Sequence, residues 1–146
     1  MIYTDLTKKA MRIAFDAHKD QVDKAGLPYI FHPYHIAEQM TDEISFCVAL
    51  LHDIVEDTTV TFDELTNRDI PNEIINILQL LTHEDTFPYM EYIEKIKRSG
   101  NKTAIAVKLA DLRHNSDKSR LIEADGDSLK RIEKYEKAIA LLEDMV

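Results

Sequence analysis

The chain has 146 residues, the size of one domain, and its 45% hydrophobic and 31% charged residues are ordinary for a folded protein with its own core. Its formal net charge of −9 argues against a nucleic-acid-binding surface. No stretch approaches the roughly 18 apolar residues that cross a bilayer. We therefore expect a single domain spanning residues 1–146, with neither nucleic acid nor membrane as a partner. The sequence leaves open whether the chain forms homo-oligomers.

Cysteine usage and the first residues bear on location. Cys47 is the one cysteine of the chain, so no internal disulfide can form, which favours a reducing compartment. The opening "MIYTDLTKKAM" lacks the apolar core of a signal peptide. Together these features predict a cytoplasmic protein.

Apolar residues recur at helical spacing along the chain, and the dipeptides typical of β-hairpins are absent. The predicted fold is all-α, a helical bundle of about seven to eight helices. A first helix begins at Thr4 or Asp5, and a loop with Gly26 and two prolines follows it. A short second helix should follow Pro33 and run through Met40.

The third predicted helix starts near Thr41–Asp42 and carries the apolar residues from Ile44 to Val55. Because it is apolar on nearly every side, we expect it to be central. The helices predicted after it are a short one in "TTVTFDELTN", then "PNEIINILQLLTH", "FPYMEYIEKIKR" up to Gly100, "KTAIAVKLADLRHN" and "DSLKRIEKYEKAIALLEDMV".

A histidine and three carboxylates end the uncharged run of the third helix, in "LLHDIVEDTT". Helical spacing would gather His52, Asp53, Glu56 and Asp57 at one end of one face. Carboxylates at the carboxyl end of a helix oppose its dipole, and a bound cation would remove that conflict. An imidazole beside a carboxylate suits a divalent transition ion.

Two further groups of polar residues occur within or next to apolar predicted helices. "AVKLADLRHN" presents Asp111 with Lys108 three residues before it and Asn115 four residues after it, and His32 precedes the second helix. One histidine, a His-Asp pair and a distant aspartate make a candidate set of four metal ligands. The alternative is a solvated helix end with a stray histidine, which would leave the other polar clusters unexplained.

Three blocks, "AHKDQVDKAGLPYIFHP", "ALLHDIVEDTTVTFDEL" and "VKLADLRHN", resemble the HD superfamily of metal-dependent phosphohydrolases. They are most similar to the (p)ppGpp hydrolase domain of the RelA/SpoT family and to the single-domain small alarmone hydrolases. The resemblance implies an all-helical fold and hydrolysis of the 3′-pyrophosphate of the guanosine alarmone, giving GDP or GTP and pyrophosphate. It also implies a divalent metal, Mn²⁺, on the H…HD…D ligands His32, His52, Asp53 and Asp111.

The residues around such a metal suit this chemistry. Glu56 and Asp57 would be catalytic, orienting water or shuttling protons, with acid and base not assigned between them. Lys24 and Lys108 would supply positive charge to the nucleotide substrate, and Asn115 would bind it as well. His18 and Gln21 are interpreted as polar residues that brace the His32 loop.

Two positions depart from the alarmone hydrolases. Where those proteins usually read "RKSG", this chain reads Asp23-Lys24-Ala25-Gly26, and their "HNMRT" becomes an "HN" followed by Ser116 and Asp117. Aspartate offers neither the planar face nor the hydrogen-bonding fork of arginine. We therefore expect the binding shell for guanosine tetraphosphate to be altered. A phosphohydrolase acting on another nucleotide and a non-catalytic nucleotide-binding regulator remain the alternatives.

Overall fold

An apolar helix, α3 (Glu43–Leu51), occupies the centre of the fold, as its composition predicts. The side chain of Asp42 caps it by accepting a 2.8 Å hydrogen bond from the backbone N–H of Ser45. Every residue from Ser45 to Leu51 is buried, because helices α1, α2, α6 and α8 pack around α3. Burying a side chain such as Phe46 or Leu50 contributes roughly 1.5–3 kcal/mol each to folding.

The computed structural model describes residues 1–120 and 126–144. All regular elements within these ranges are helical apart from one isolated β-bridge between Val22 and Pro28, so the all-α prediction is confirmed. The last two residues of the predicted final helix lie outside the described residues. The remaining helices are α1 (Asp5–His18), α2 (Phe31–Glu38), α4 (Ile54–Asp57), α5 (Phe62–Asn67), α6 (Asn72–Leu81), α7 (Tyr89–Ser99), α8 (Lys102–Asn115) and α9 (Gly126–Glu143), with a 3₁₀ turn at Lys118–Arg120.

Three elements that pack on one another bring the polar motifs together. Helix α8 begins at its cap Asn101, whose side chain accepts from the N–H of Ala104 at 2.9 Å. Helices α2 and α8 both pack against α3 and against each other. His32 in α2, Asp111 in α8 and the His52-Asp53 pair after α3 therefore meet near the carboxyl end of α3.

The third helix does not continue to Val55 as predicted. It ends at Leu51, and Asp53 has φ −120° and ψ 11°, outside the helical region, before the separate turn α4 begins. Local periodicity missed this break because contacts made by the Asp53 side chain with other elements override the helical preference of the segment. Glu56 and Asp57 therefore belong to a new turn, and the dipole argument for a cation does not apply to them.

None of the helices within the described ranges is long and apolar enough to cross a membrane. Cys47 lies fully buried in α3, where burial and the charge of Glu43 raise the pKa of its thiol to about 12. A thiol with so high a pKa is unreactive, so Cys47 acts as a core residue.

Candidate metal and nucleotide site

The four predicted metal ligands converge in the structure. The ligand atoms of His32, His52 and Asp53 all lie within 4.8 Å of one another. Asp111 is outside that group of three, but its Oδ1 lies 2.9 Å from Nε2 of His32 and 3.3 Å from Nε2 of His52. All four residues are buried, at 4–7% exposure. The structure therefore contains a His/Asp cluster able to hold a metal ion.

Hydrogen bonding of His52 leaves one of its nitrogens free for an ion. Its Nδ1 lies 2.6 Å from the carbonyl oxygen of Ala49, and because a carbonyl only accepts, Nδ1 must carry the proton. In the neutral ring Nε2 then has a lone pair, and it points at the cluster. Metal-ligating histidines commonly have this arrangement.

Unsatisfied buried atoms test whether the cluster fits a cation. Nε2 of His52 and Oδ1 of Asp53 are buried and have no hydrogen-bond partner among the described residues. Leaving such an atom unpaired costs about 1–3 kcal/mol. A divalent ion would satisfy both atoms and offset the buried charges of Asp53 and Asp111. The residues present therefore fit a metal ion.

Charge in the cluster points the same way. Burial lowers the pKa of His52, but the nearby carboxylates of Asp53 and Asp111 outweigh burial and raise the pKa to about 9. In Asp111 burial is likewise outweighed, by Lys108 and His52, and the pKa of its carboxyl falls well below the ordinary value. The negative potential that holds a proton on His52 also attracts a cation.

Glu56 and Asp57 stand beside the cluster on α4. Glu56 accepts a hydrogen bond from the backbone N–H of His83, and Asp57 lies 3.4 Å from the Tyr29 hydroxyl. Burial raises the pKa of both carboxyls, and the charge of Asp53 adds to the increase. Both line a cavity of about 210 Å³ that His52, Asp53 and Asp111 also line. The geometry thus places two carboxylates where they can exchange protons with a reacting group next to the cluster.

The predicted substrate-binding residues occupy two zones. Lys108 is in the inner cavity, with its Nζ 2.9 Å from Oδ2 of Asp111 and 5.3 Å from the centre of the Tyr92 ring. Asn115 donates to Oδ1 of Asp111 at 3.1 Å and lines both this cavity and a wider one of about 620 Å³. Lys24 is exposed and lines the wider cavity only.

Tyr29 is a polar residue at the cluster that the sequence reasoning missed. The hydroxyl of Tyr29 donates to Oδ2 of Asp53. Tyr29 is in the same sequence block as His32, three residues before it, and that proximity was the available signal. Gln21 donates to the backbone oxygen of Asp57 at 2.7 Å, and Nε2 of His18 lies 3.5 Å from Oδ1 of Asp53. This pair therefore supports Asp53 and Asp57 as well as the loop before α2.

His114 is a second missed residue. Its Nδ1 lies 2.7 Å from Nδ1 of His32, so one ring donates and the other accepts. Nε2 of His32 faces the cluster. It can bind an ion there only if Nδ1 of His32 carries the proton and donates a hydrogen bond to Nδ1 of His114. His35 stacks on His114 with ring centres 4.1 Å apart. It does not belong to the described His/Asp cluster.

We expect His114→Leu to weaken the affinity for divalent metal by about tenfold to a hundredfold, because His32 loses the acceptor that fixes its ring. His35→Leu is the matched control, since it removes a ring from the same stack without touching His32 Nδ1. Calorimetric titration of metal-free protein with Mn²⁺ measures both. Equal affinities in the two variants would show that His114 does not orient His32.

Comparisons with known proteins identify relatives of this chain. No protein-family model matches the sequence. The guanosine-3′,5′-bis(diphosphate) 3′-pyrophosphohydrolase MESH1 of Xenopus tropicalis is 32% identical over 142 residues, covering 89% of this chain and 78% of that protein. The bifunctional (p)ppGpp synthase/hydrolase SpoT of Escherichia coli (strain K12) is 28% identical over 121 residues, 74% of this chain but 17% of that protein.

The fold has a solved counterpart. A metazoan ortholog of SpoT, described as hydrolysing ppGpp, superposes with a TM-score of 0.76 at 22% sequence identity. The match covers 99% of this chain and 87% of that one. At that identity the likeness establishes the helical fold and nothing about the substrate.

Proposed function

The chain belongs to the family of guanosine-3′,5′-bis(diphosphate) 3′-pyrophosphohydrolases named MESH1, and we propose that it is a metal-dependent hydrolase that removes the 3′-pyrophosphate from (p)ppGpp. Water attacks the phosphorus attached to the 3′ oxygen, the bond between them breaks, and the products are GDP or GTP and pyrophosphate. The 3′ oxygen ends with a proton, and the attacking water gives one up.

The observation that carries this proposal is the unsatisfied pair of buried atoms, Nε2 of His52 and Oδ1 of Asp53, facing a cavity that Glu56 and Asp57 also line. We propose that a divalent ion, Mn²⁺, binds His32, His52, Asp53 and Asp111; Mn²⁺ rests on the resemblance and on the mixed nitrogen and oxygen donors. Once bound, such an ion supplies Lewis acidity that makes water a nucleophile near neutral pH.

The side chains around the cluster divide the remaining work. Glu56 and Asp57 exchange protons with the attacking water and the departing 3′ oxygen, a role for which their raised pKa values suit them. Lys108 is fixed by Asp111 at the inner cavity, where it offsets negative charge on the pyrophosphate. Asn115 and Lys24 bind the nucleotide, because both line the wider cavity that adjoins the cluster.

Turnover of a nucleotide panel with Mn²⁺ tests the function. We expect pyrophosphate and GDP from ppGpp, and pyrophosphate and GTP from pppGpp. Orthophosphate as the product would instead identify a phosphatase. Preferred turnover of a different nucleotide would support the hydrolase reaction but contradict the alarmone substrate. Binding without turnover would indicate a regulator.

Residues 1–146 form one domain that acts on a small nucleotide rather than on nucleic acid, as the acidic charge of −9 supports. The protein works away from membranes in the cytoplasm, where a chain with one buried cysteine needs no disulfide. The substrate-binding charges are local to the cavities and are opposite in sign to the chain as a whole.

A further inference from the structure

The wider cavity, of about 620 Å³, adjoins the inner one and shares Tyr29, Asp57, Asn115 and Tyr135 with it. The loop between α1 and α2, the Lys118–Arg120 turn and helix α9 border it. If the 3′-pyrophosphate lies at the metal cluster, the rest of the nucleotide must extend into this wider space. Its lining therefore determines what the 5′ end of the substrate meets.

Arg120 is held at the edge of this cavity. Its Nη1 donates to the carbonyl oxygen of His114 at 2.8 Å and lies 3.4 Å from Oδ1 of Asn115. Among residues 1–120 and 126–144, no group accepts a hydrogen bond from its Nε or Nη2. The hydrogen bond to His114 holds the side chain, which is 27% exposed and lines the cavity.

Asp23, the aspartate that departs from the family pattern, lies next to Arg120. Its Oδ1 accepts from the N–H groups of Ala25 and Leu27 at 2.9 and 3.0 Å, which shapes the loop. Its Oδ2 lies 3.7 Å from Nη2 of Arg120. The guanidinium therefore compensates the negative charge that Asp23 brings to the cavity.

Asp117, the second departure, is occupied within its own turn. Its Oδ1 accepts from the N–H and the hydroxyl of Ser119 at 3.0 and 2.6 Å. Of the basic residues that line the cavity, Lys24 and Arg131 make no ion pair with another described residue, and Arg120 faces Asp23 only beyond hydrogen-bond distance. Arg131 donates from Nη2 to the Ser128 hydroxyl at 3.3 Å. Within the described residues none of the three basic side chains is hydrogen-bonded to a carboxylate, so the cavity is suited to an anionic group.

We propose that Arg120 binds the 5′-phosphates of the substrate and neutralises Asp23, so that this arginine makes the protein select nucleotides that carry 5′-phosphates. The inference rests on the proposed function, because that function places the 3′ end at the metal cluster. Guanidinium donors match phosphate oxygens in charge and in geometry. Arg120 thus supplies, from a different segment of the chain, the positive charge that the related hydrolases have at the position of Asp23.

Equilibrium binding of a product and its dephosphorylated form tests this without depending on turnover. GDP and guanosine are titrated into wild-type protein and into Arg120→Ala. The control is Lys118→Ala, which alters an exposed residue of the same turn. We expect Arg120→Ala to weaken GDP binding by about tenfold or more and to leave guanosine unchanged. Lys118→Ala should match wild type, and Arg120→Lys, which keeps the charge but not the fork, should be intermediate.

A second substitution separates the two effects of Arg120. In the Arg120→Ala background Asp23 is an uncompensated negative charge, so adding Asp23→Asn should recover part of the lost GDP affinity. In the wild-type background Asp23→Asn should change that affinity less than it does in the Arg120→Ala background. Circular dichroism shows whether each variant keeps its helices, and Arg120→Lys carries the test if Arg120→Ala does not.

The outcomes distinguish this inference from the proposed function. Equal GDP affinity in wild type and Arg120→Ala overturns the inference, even if ppGpp is hydrolysed normally. An equal loss for GDP and guanosine also overturns it, because Arg120 would then bind the nucleoside. Loss of GDP affinity in Arg120→Ala, with no ppGpp turnover in wild type, supports Arg120 as a phosphate-binding residue and contradicts the proposed reaction.

Discussion

Asp53→Ala protein should contain no divalent metal, and its pyrophosphate release from ppGpp should fall by a factor on the order of 10³ or more. Asp53 is central because its two oxygens differ: Oδ2 accepts from the Tyr29 hydroxyl and lies 3.5 Å from Nε2 of His52, whereas Oδ1 is buried without a hydrogen-bond partner among the described residues. Removing this carboxylate takes away a ligand and the charge that attracts a cation. His52→Ala should have the same effect.

Metal content and heat stability measure this result independently of activity. A ligand that binds only the folded state raises the melting temperature, so Mn²⁺ should stabilise wild type and leave Asp53→Ala unchanged. Asp63→Ala, which removes an exposed carboxylate from α5, is the matched control and should retain metal, activity and the Mn²⁺-dependent shift. Full metal occupancy in both Asp53→Ala and His52→Ala would contradict the proposed ligand set.

Helix positions were largely predictable because they depend on local signals. "KTAIAVKLADLRHN" coincides with α8, whose ends are set by the cap Asn101 and by the turn that follows Asn115. Gly100 ends α7 in the left-handed conformation, with φ 64°, as expected of a glycine after a helix. Caps and apolar periodicity act over a few residues, so a sequence displays them directly.

The break after α3 could not be predicted in that way. Spacing of three and four residues between His52, Asp53, Glu56 and Asp57 suits one helix, but the non-helical dihedral angles of Asp53 interrupt it. The position of Asp53 depends on His18 and Tyr29, which reach it from the end of α1 and from the loop before α2. Such contacts depend on tertiary packing, and helical periodicity contains no signal for them.

The substitution at residue 23 shows the same limit at the candidate site. From the sequence alone, Asp23 replaces an arginine of the alarmone hydrolases, which predicts weaker binding of an anionic nucleotide. In the structure Arg120 approaches Asp23 from the segment after α8. Comparing a motif one position at a time does not detect a charge that a distant residue supplies. The expected change in nucleotide binding therefore depends on Arg120 as well as on Asp23.

Glu56→Gln and Asp57→Asn should each lower kcat for ppGpp by about 10²-fold or more, with metal content unchanged. Each substitution keeps the size of the side chain and removes its ability to take up a proton. Glu56 lies against the backbone N–H of His83, and Asp57 lies near Tyr29, so both are held beside the cluster without belonging to the four proposed ligands. KM should move less than kcat, because proton transfer matters in the transition state rather than in substrate binding.

The chain offers a matched control in Asp63 and Glu64, another adjacent pair of carboxylates, which is exposed in the first turn of α5. Asp63→Asn and Glu64→Gln repeat the two chemical changes away from the cavities and should retain wild-type kcat. Steady-state rates with metal analysis of every variant separate three outcomes. Low kcat with full metal supports proton transfer, low kcat with lost metal would make the carboxylates part of the metal site, and wild-type rates would reduce Glu56 and Asp57 to structural residues of α4.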